Sequence, residues 1–225
     1  MEQLQETDIF SSKRNKETVS SVMPMLTYEE LVKQCQPGDI LLVGLNRKGI
    51  GKILGIGVHL ATRSNIDSSK LIMTKNQMGG YFNGSIKIWD RKEAFDKMIK
   101  RAYLMILIRP NATNQQKLKA ENYMRDREGL GKGKADIYAF LDRNAPNKLK
   151  MDRTLMNSQS VEEFSGEMVC STSIAMGYRS AGFYLFPGSD PLTVWPVDFL
   201  YSPNCQTIGK MVKSFGFQEY PEGVK

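Results

Sequence analysis

The sequence contains a single histidine, His59, among its 225 residues. Any mechanism that needs an imidazole near neutral pH must therefore use this residue. The chain has no H-E-x-x-H run or other short His/Cys spacing of the kind that binds zinc, and no G-x-S-x-G elbow of a serine hydrolase. These absences leave a cysteine nucleophile paired with His59 as the favoured chemistry, and no metal or other cofactor is expected.

Cysteine is also scarce: Cys35, Cys170 and Cys205 form an odd set that does not suggest a disulfide framework and favours a reducing compartment. The longest apolar stretches, around 40–45 and 102–108, are too short to cross a bilayer. The N-terminus lacks the pattern of a secretory signal. We therefore expect cytoplasmic synthesis and no transmembrane segment, with virion association or export by another route left open.

The net charge of +7 favours an anionic partner such as nucleic acid, acidic lipid or a cell-wall polymer. No aromatic RNA-binding motif, zinc-finger spacing or long basic helix supports nucleic acid, which we do not expect as a partner. A phosphate loop is also disfavoured, since Ile53 follows Lys52 where a Ser or Thr would hold magnesium, and the basic loop 129–134 follows no predicted strand.

The chain divides into a polar tail and one domain. Residues 1–24 predict a mobile tail or an arm that docks on a protein partner, and residues 25–225 predict a single catalytic domain. The polar segment 143–166 predicts an exposed excursion or a lid over a site. Strands grouped early, with helices beside them, indicate an α+β fold.

Alternation of apolar residues and capping signals predict the elements in chain order. They are a helix from Thr27 to about Gln34, strands over 39–45, 58–62, 70–76 and 81–89, a turn over 64–69, a helix after Asp90, a strand over 103–109, helices over 113–127 and 170–181, and a last strand over 207–215.

Cys170 begins a predicted helix that Gly182 ends. A thiol in the first turn of a helix experiences the helix dipole and unpaired backbone N–H groups, which favour thiolate. The same N–H groups, those of Cys170 and Ser171, can form an oxyanion hole.

Three segments together resemble a known superfamily. Pro37-Gly38-Asp39-Ile40, then Val58-His59-Leu60-Ala61, then Met168-Val169-Cys170-Ser171-Thr172 are similar to motifs of the NlpC-type papain-like proteins. Because the histidine precedes the cysteine, the order resembles the circularly permuted branch, which includes lecithin:retinol acyltransferase-like proteins and bacterial and poxviral relatives. The ending Pro196-Val197-Asp198-Phe199-Leu200-Tyr201-Ser202 is similar to the P-x-D-x-x-x-S segment of that branch.

This resemblance implies a papain-like α+β fold, with the helix of the nucleophile packed on an antiparallel sheet. It also implies that Cys170 attacks a carbonyl while His59 acts as base, and that a third residue on the following strand orients the imidazole. With a turn centred between Ile66 and Asp67, Thr74 lies opposite His59, and a shift of the turn by one residue brings Asn76 there instead. Asn76 is the better acceptor for an imidazole N–H.

The expected activity is cleavage of amide bonds, with peptidoglycan peptides as the favoured substrate. Two alternatives remain. The same residues could serve a lipid acyltransferase or thioesterase, or the chain could be a non-enzymatic virion- or secretion-associated protein that keeps the fold.

Overall fold

A computed structural model describes residues 23–46, 64, 66, 68–82, 85–130, 170–189, 191 and 194–213. In chain order its elements are α1 (Tyr28–Gln34), β1 (Ile40–Leu45), β2 (Ser68–Ile72), β3 (Gln77–Phe82), β4 (Ser85–Asp90), α2 (Arg91–Ile99), β5 (Ala102–Pro110), α3 (Asn114–Arg125), α4 (Cys170–Ser180), a 3-10 helix (Pro196–Tyr201) and β6 (Cys205–Val212). The predicted strand 58–62 and the segment 143–166 lie outside the described residues.

The strands form one six-stranded sheet in the order β4-β3-β2-β1-β5-β6, and every neighbouring pair is antiparallel. With helices beside this sheet, the α+β class predicted from the sequence is confirmed. No helix in the described ranges has the length and apolar character needed to span a membrane.

Both faces of the central strand β1 are covered. Ile40 and Leu42 belong to a core that also contains residues of α3, α4 and the 3-10 helix, whereas Leu41 and Val43 belong to a second core with α1 and α2. All four side chains are fully buried. Burial on both faces explains why this strand has a continuous apolar run rather than the alternation of a one-sided antiparallel strand.

The Pro37-Gly38-Asp39 turn connects β1 to two other elements. Gly38 has a φ of 83°, which favours glycine, and its carbonyl accepts a hydrogen bond from the hydroxyl of Tyr178 in α4. The Asp39 carboxylate is fully buried and accepts two hydrogen bonds from Arg109 of β5, at 2.9 and 2.8 Å. The resemblance motif at this position therefore has a structural role, which is to fix α4 and β5 against the start of β1.

The interval between β1 and β4 differs from its prediction. Ser68 and Ser69, expected in a turn, are the first two residues of β2 and pair with Val43 and Leu42. The predicted strand over 70–76 is wrong beyond Ile72, because the chain turns there and Met73 N–H bonds back to the carbonyl of Gln77. The polar composition of Ser68-Ser69 suggested a turn, but both residues pair with β1 inside the sheet, and both are buried.

Both edge strands have backbone groups bonded to neighbouring segments. On β4, the Ile86 carbonyl accepts a hydrogen bond from Gly129 N–H at 2.8 Å, and the Ile86 N–H donates to the Leu130 carbonyl at 2.9 Å. On β6, the Lys210 carbonyl accepts from Leu26 N–H and its N–H donates to the Pro24 carbonyl, both at 2.8 Å. The sheet thus ends in pairing with non-strand chain at these points.

Candidate functional site

Cys170 is the first residue of α4, as the sequence predicts, and its side chain is half-buried. The helix packs on the sheet and on α3, and its opposite end is fixed by the bond from Tyr178 to Gly38. A positive φ of 73° at Gly182 follows the helix end. Cys170 therefore lies at one end of a helix that is anchored in the core.

The first turn of α4 buries three hydroxyl side chains beside this thiol. Ser171, Thr172 and Ser173 are 0%, 1% and 1% exposed. The Ser171 hydroxyl donates to the Val194 carbonyl at 2.5 Å, and the Ser173 hydroxyl donates to the Cys170 carbonyl at 3.0 Å. The Thr172 hydroxyl has no hydrogen-bond partner within the described part of the chain. Polar residues are thus concentrated where the helix begins.

The backbone amides of this turn can bind a developing negative charge. The first N–H groups of an α-helix have no acceptor four residues earlier inside the helix. Cys170 and Ser171 are the first two residues of α4, so their N–H groups belong to this class. This is the position at which we expected oxyanion donors.

The other two thiols lie in settings that disfavour thiolate. Burial, with a smaller contribution from Asp39, raises the pKa of Cys35 to about 12, and its sulfur donates to the Leu31 carbonyl at 3.3 Å. Burial also raises the pKa of Cys205, the first residue of β6, to about 11. Neither thiol would be an effective nucleophile near neutral pH, because the thiolate is the reactive form.

We expect iodoacetamide at neutral pH to alkylate Cys170 in the native protein well before Cys35 and Cys205. The raised pKa values of the latter two thiols reduce their thiolate fractions by more than tenfold relative to an unperturbed cysteine. Peptide mass spectrometry of samples quenched over time measures the three rates. Labelling in denaturant supplies the control, since all three rates should then converge. Equal alkylation rates of the three thiols in the native protein would contradict the assignment of Cys170 as the reactive cysteine.

The structure places Thr74 and Asn76 in a turn, not on the strand expected for a residue that orients His59. These two residues form the turn between β2 and β3, where the Asn76 N–H donates to the Thr74 hydroxyl at 3.1 Å. Neither residue belongs to a strand, so the hairpin register that placed them opposite His59 does not occur at these positions. His59 lies outside the described residues, and its contact with Cys170 or with either turn residue stays a prediction.

Thr74 and Asn76 also lie toward the end of α4 opposite Cys170. Both line a cleft with Pro37, next to Gly38, whose carbonyl binds Tyr178. Cys170 precedes Tyr178 by eight residues of α4, or about 12 Å along a helix axis.

The P-x-D-x-x-x-S segment has local structural roles. Asp198 is buried, and its carboxylate accepts a hydrogen bond from the Trp195 N–H at 2.8 Å, at the start of the 3-10 helix. The Ser202 hydroxyl donates to the Leu185 carbonyl at 2.5 Å. These bonds hold the chain that follows α4, including Val194, the acceptor for Ser171.

Glu121 is a polar residue that the sequence did not single out. It is only 4% exposed, and burial raises the pKa of its carboxyl to about 7, against an opposing effect of Arg125. The apolar residues Ala120 and Met124 on the same helix indicated a buried face, but the sequence contains no signal that an acidic side chain would lie within it.

Comparisons with known proteins add information on the fold. No protein-family model matches the chain, and no curated protein matches it. A solved structure, that of metalloprotein yiiX from Escherichia coli O157:H7 (DUF1105), is similar, with a TM-score of 0.53 and 17% identity. The match covers 80% of this chain and 99% of that one, so the two proteins share a fold. In the described ranges of this chain, no group of three or more His, Cys, Asp or Glu side chains is placed to hold a metal ion, so these residues do not fit a metal centre.

Proposed function

We propose that the protein is a cysteine hydrolase of the circularly permuted papain-like type, which cleaves amide bonds in cell-wall peptidoglycan peptides. Cys170 is the nucleophile and His59 is its general base. The observation that carries this proposal is the half-buried thiol at the first residue of α4, in a chain whose other two thiols have strongly raised pKa values.

The surroundings of Cys170 support this role. The helix is held at its far end by Tyr178 and beside its first turn by the bond from Ser171 to Val194, so the thiol is carried by a rigid element. Precise placement of a nucleophile against its substrate is a main source of rate in enzymes. A cysteine at the start of a helix beside an antiparallel sheet is the arrangement that the resemblance to papain-like proteins implies for the nucleophile.

The reaction proceeds by acyl transfer. His59 takes the thiol proton, the sulfur of Cys170 forms a bond to the amide carbon, and the carbonyl oxygen becomes an oxyanion that accepts from the N–H groups of Cys170 and Ser171. His59 then gives the proton to the leaving amine as the C–N bond breaks. Water, deprotonated by His59, attacks the thioester carbon and releases the acid and the free thiol.

The charge of the chain supports an anionic polymer as the substrate. With 31 Lys and Arg against 24 Asp and Glu, the protein has a net charge of +7. A positive surface raises the local concentration of a negatively charged substrate and accelerates encounter at low ionic strength.

Incubation with purified peptidoglycan, followed by mass spectrometry of the soluble products, tests the proposal. We expect peptide fragments with a new carboxyl group and a new amino group, each cleavage adding one water. Protein alkylated beforehand at Cys170 provides the matched control and should release nothing. Parallel incubation with phospholipid vesicles distinguishes the acyltransferase and thioesterase alternatives, which would release or move an acyl chain. Unchanged peptidoglycan and unchanged lipid would favour a non-enzymatic role.

A further inference from the structure

A second candidate site lies near the end of α4 that carries Tyr178. It is a cleft of about 670 Å³ between the loop before β1, the turn from β2 to β3, and α3. Its described walls include Pro37, Met73 and Leu118, so much of its lining is apolar. Tyr178 and Cys170 are about 12 Å apart along the axis of α4, so this cleft is separate from the site around Cys170.

An unpartnered acidic group lies in this cleft. Glu121 lines it, is 4% exposed, and accepts no hydrogen bond from any described residue. The positive charge of Arg125, one turn later in α3, opposes the effect of burial on the pKa of Glu121. A buried carboxylate without hydrogen bonds is costly, and a bound donor with a positive charge would offset that cost.

Two cationic side chains line the same cleft. Lys75 is exposed in the β2–β3 turn, and the stem of Lys117 lies so close to Gly38 that a Cβ there would stand 2.5 Å from it. Neither ammonium group forms an ion pair in the described ranges. The cleft thus has one acidic group that is buried and two basic groups, one of them on an exposed turn.

Apolar side chains line the same cleft as these charged groups. Met73 is fully buried, whereas Leu118 is 56% exposed. A ligand that covered Leu118 would remove its apolar surface from water, which favours binding.

We propose that this cleft binds a small zwitterion in which an apolar chain joins an ammonium group to a carboxylate. The ammonium group binds Glu121, the chain contacts Met73 and Leu118, and the carboxylate lies near Lys75 and Lys117. An amine without the carboxylate is repelled by the two lysines, and a carboxylate without the amine approaches Glu121 uncompensated. The class includes amino acids and the ends of short peptides.

Isothermal titration of the full chain at pH 8, about one unit above the raised pKa of Glu121, tests this proposal with three probes. They are 6-aminohexanoate, pentylamine and hexanoate, which present both charges, the ammonium only and the carboxylate only. We expect 6-aminohexanoate to bind at least about tenfold more tightly than either analogue, a difference of about 1.4 kcal/mol. Equal affinity for hexanoate would indicate a site for anions alone, and equal affinity for pentylamine would indicate a site for amines alone. The absence of binding heat with all three probes would indicate that the cleft binds none of them. Each of these results overturns the proposal.

Matched variants locate the binding. Glu121→Gln keeps the shape of the side chain, and Lys117→Met keeps the stem over Gly38. Each substitution should reduce the affinity for 6-aminohexanoate at least about tenfold. Glu29→Gln and Lys119→Met make the same charge changes at exposed positions outside the cleft and should leave affinity unchanged. Cys170→Ala should bind 6-aminohexanoate with unchanged affinity, because Cys170 lies at the end of α4 opposite this cleft. Unchanged affinity in Glu121→Gln would refute the assignment, and circular dichroism checks that this variant is folded.

Discussion

Turnover of a cleavable amide should fall by at least about a thousandfold when Cys170 is replaced by alanine, because no other described thiol can form the acyl-enzyme. Replacing His59 with alanine should reduce turnover by about 10²- to 10⁴-fold, the usual contribution of a positioned general base. Product formation from a soluble peptidoglycan fragment, followed by chromatography under single-turnover conditions, measures both losses.

The control for this prediction is Cys205→Ala. Its thiol is also half-buried, but burial raises its pKa to about 11, so its removal should leave turnover within about twofold of the parent. Thermal unfolding of each variant separates lost chemistry from lost folding. Full activity in Cys170→Ala would end the hydrolase proposal, whereas full activity in His59→Ala alone would mean that another group accepts the thiol proton.

Replacing Arg109 with methionine should lower the free energy of unfolding by about 3–5 kcal/mol, the cost of leaving one member of a buried ion pair without its partner. Asp39 is fully buried, and Arg109 supplies two of the three hydrogen bonds that its carboxylate accepts, the third coming from Gln36 N–H at 2.9 Å. The same guanidinium donates to the Gln34 carbonyl at 2.8 Å. Urea unfolding monitored by circular dichroism measures the change.

Two comparisons make this prediction specific. Lys92→Met removes a cation from an exposed i,i+4 pair with Asp96 and should cost less than about 0.5 kcal/mol. Asp39→Asn combined with Arg109→Met removes both charges, so part of the stability should return. A loss in Arg109→Met no larger than that in Lys92→Met would show that Asp39 is rehydrated by local opening.

Local signals predicted the helices well because capping is a property of neighbouring residues. Thr27 and Thr113 each begin a helix with a capping box, and Asp90 caps α2 through the Glu93 N–H. The helix α4 was predicted from the apolar residues on one face and from Gly182 as its stop. The buried strand β1 was predicted from its apolar run.

The strands between β1 and β4 were harder to predict because their surroundings are set by distant parts of the chain. Ser69 is fully buried on the same face of β2 as Leu71, which packs in the core with α4, and no local pattern in the sequence indicates this packing. Lys70 is 4% exposed in the same strand, where its ammonium group donates to the Tyr81 carbonyl and lies 4.3 Å from the centre of the Phe82 ring. Polar residues in such a position suggest exposure to solvent. The predicted turn over 64–69 therefore includes the first two residues of β2, and the predicted strand over 70–76 extends beyond its end. The error carried over to Thr74 and Asn76, whose assignment depended on that register.

The pairing at the two sheet edges also affects how copies of this protein can associate. An open edge strand can act as a template for another chain, which is a common route to aggregation and to strand exchange between subunits. Here Ile86 on one edge and Lys210 on the other already have both backbone groups bonded within the chain. A strand from another molecule that paired at either residue would first have to displace the segment at 129–130 or the one at 24–26. These contacts therefore oppose extension of the sheet from one molecule into the next.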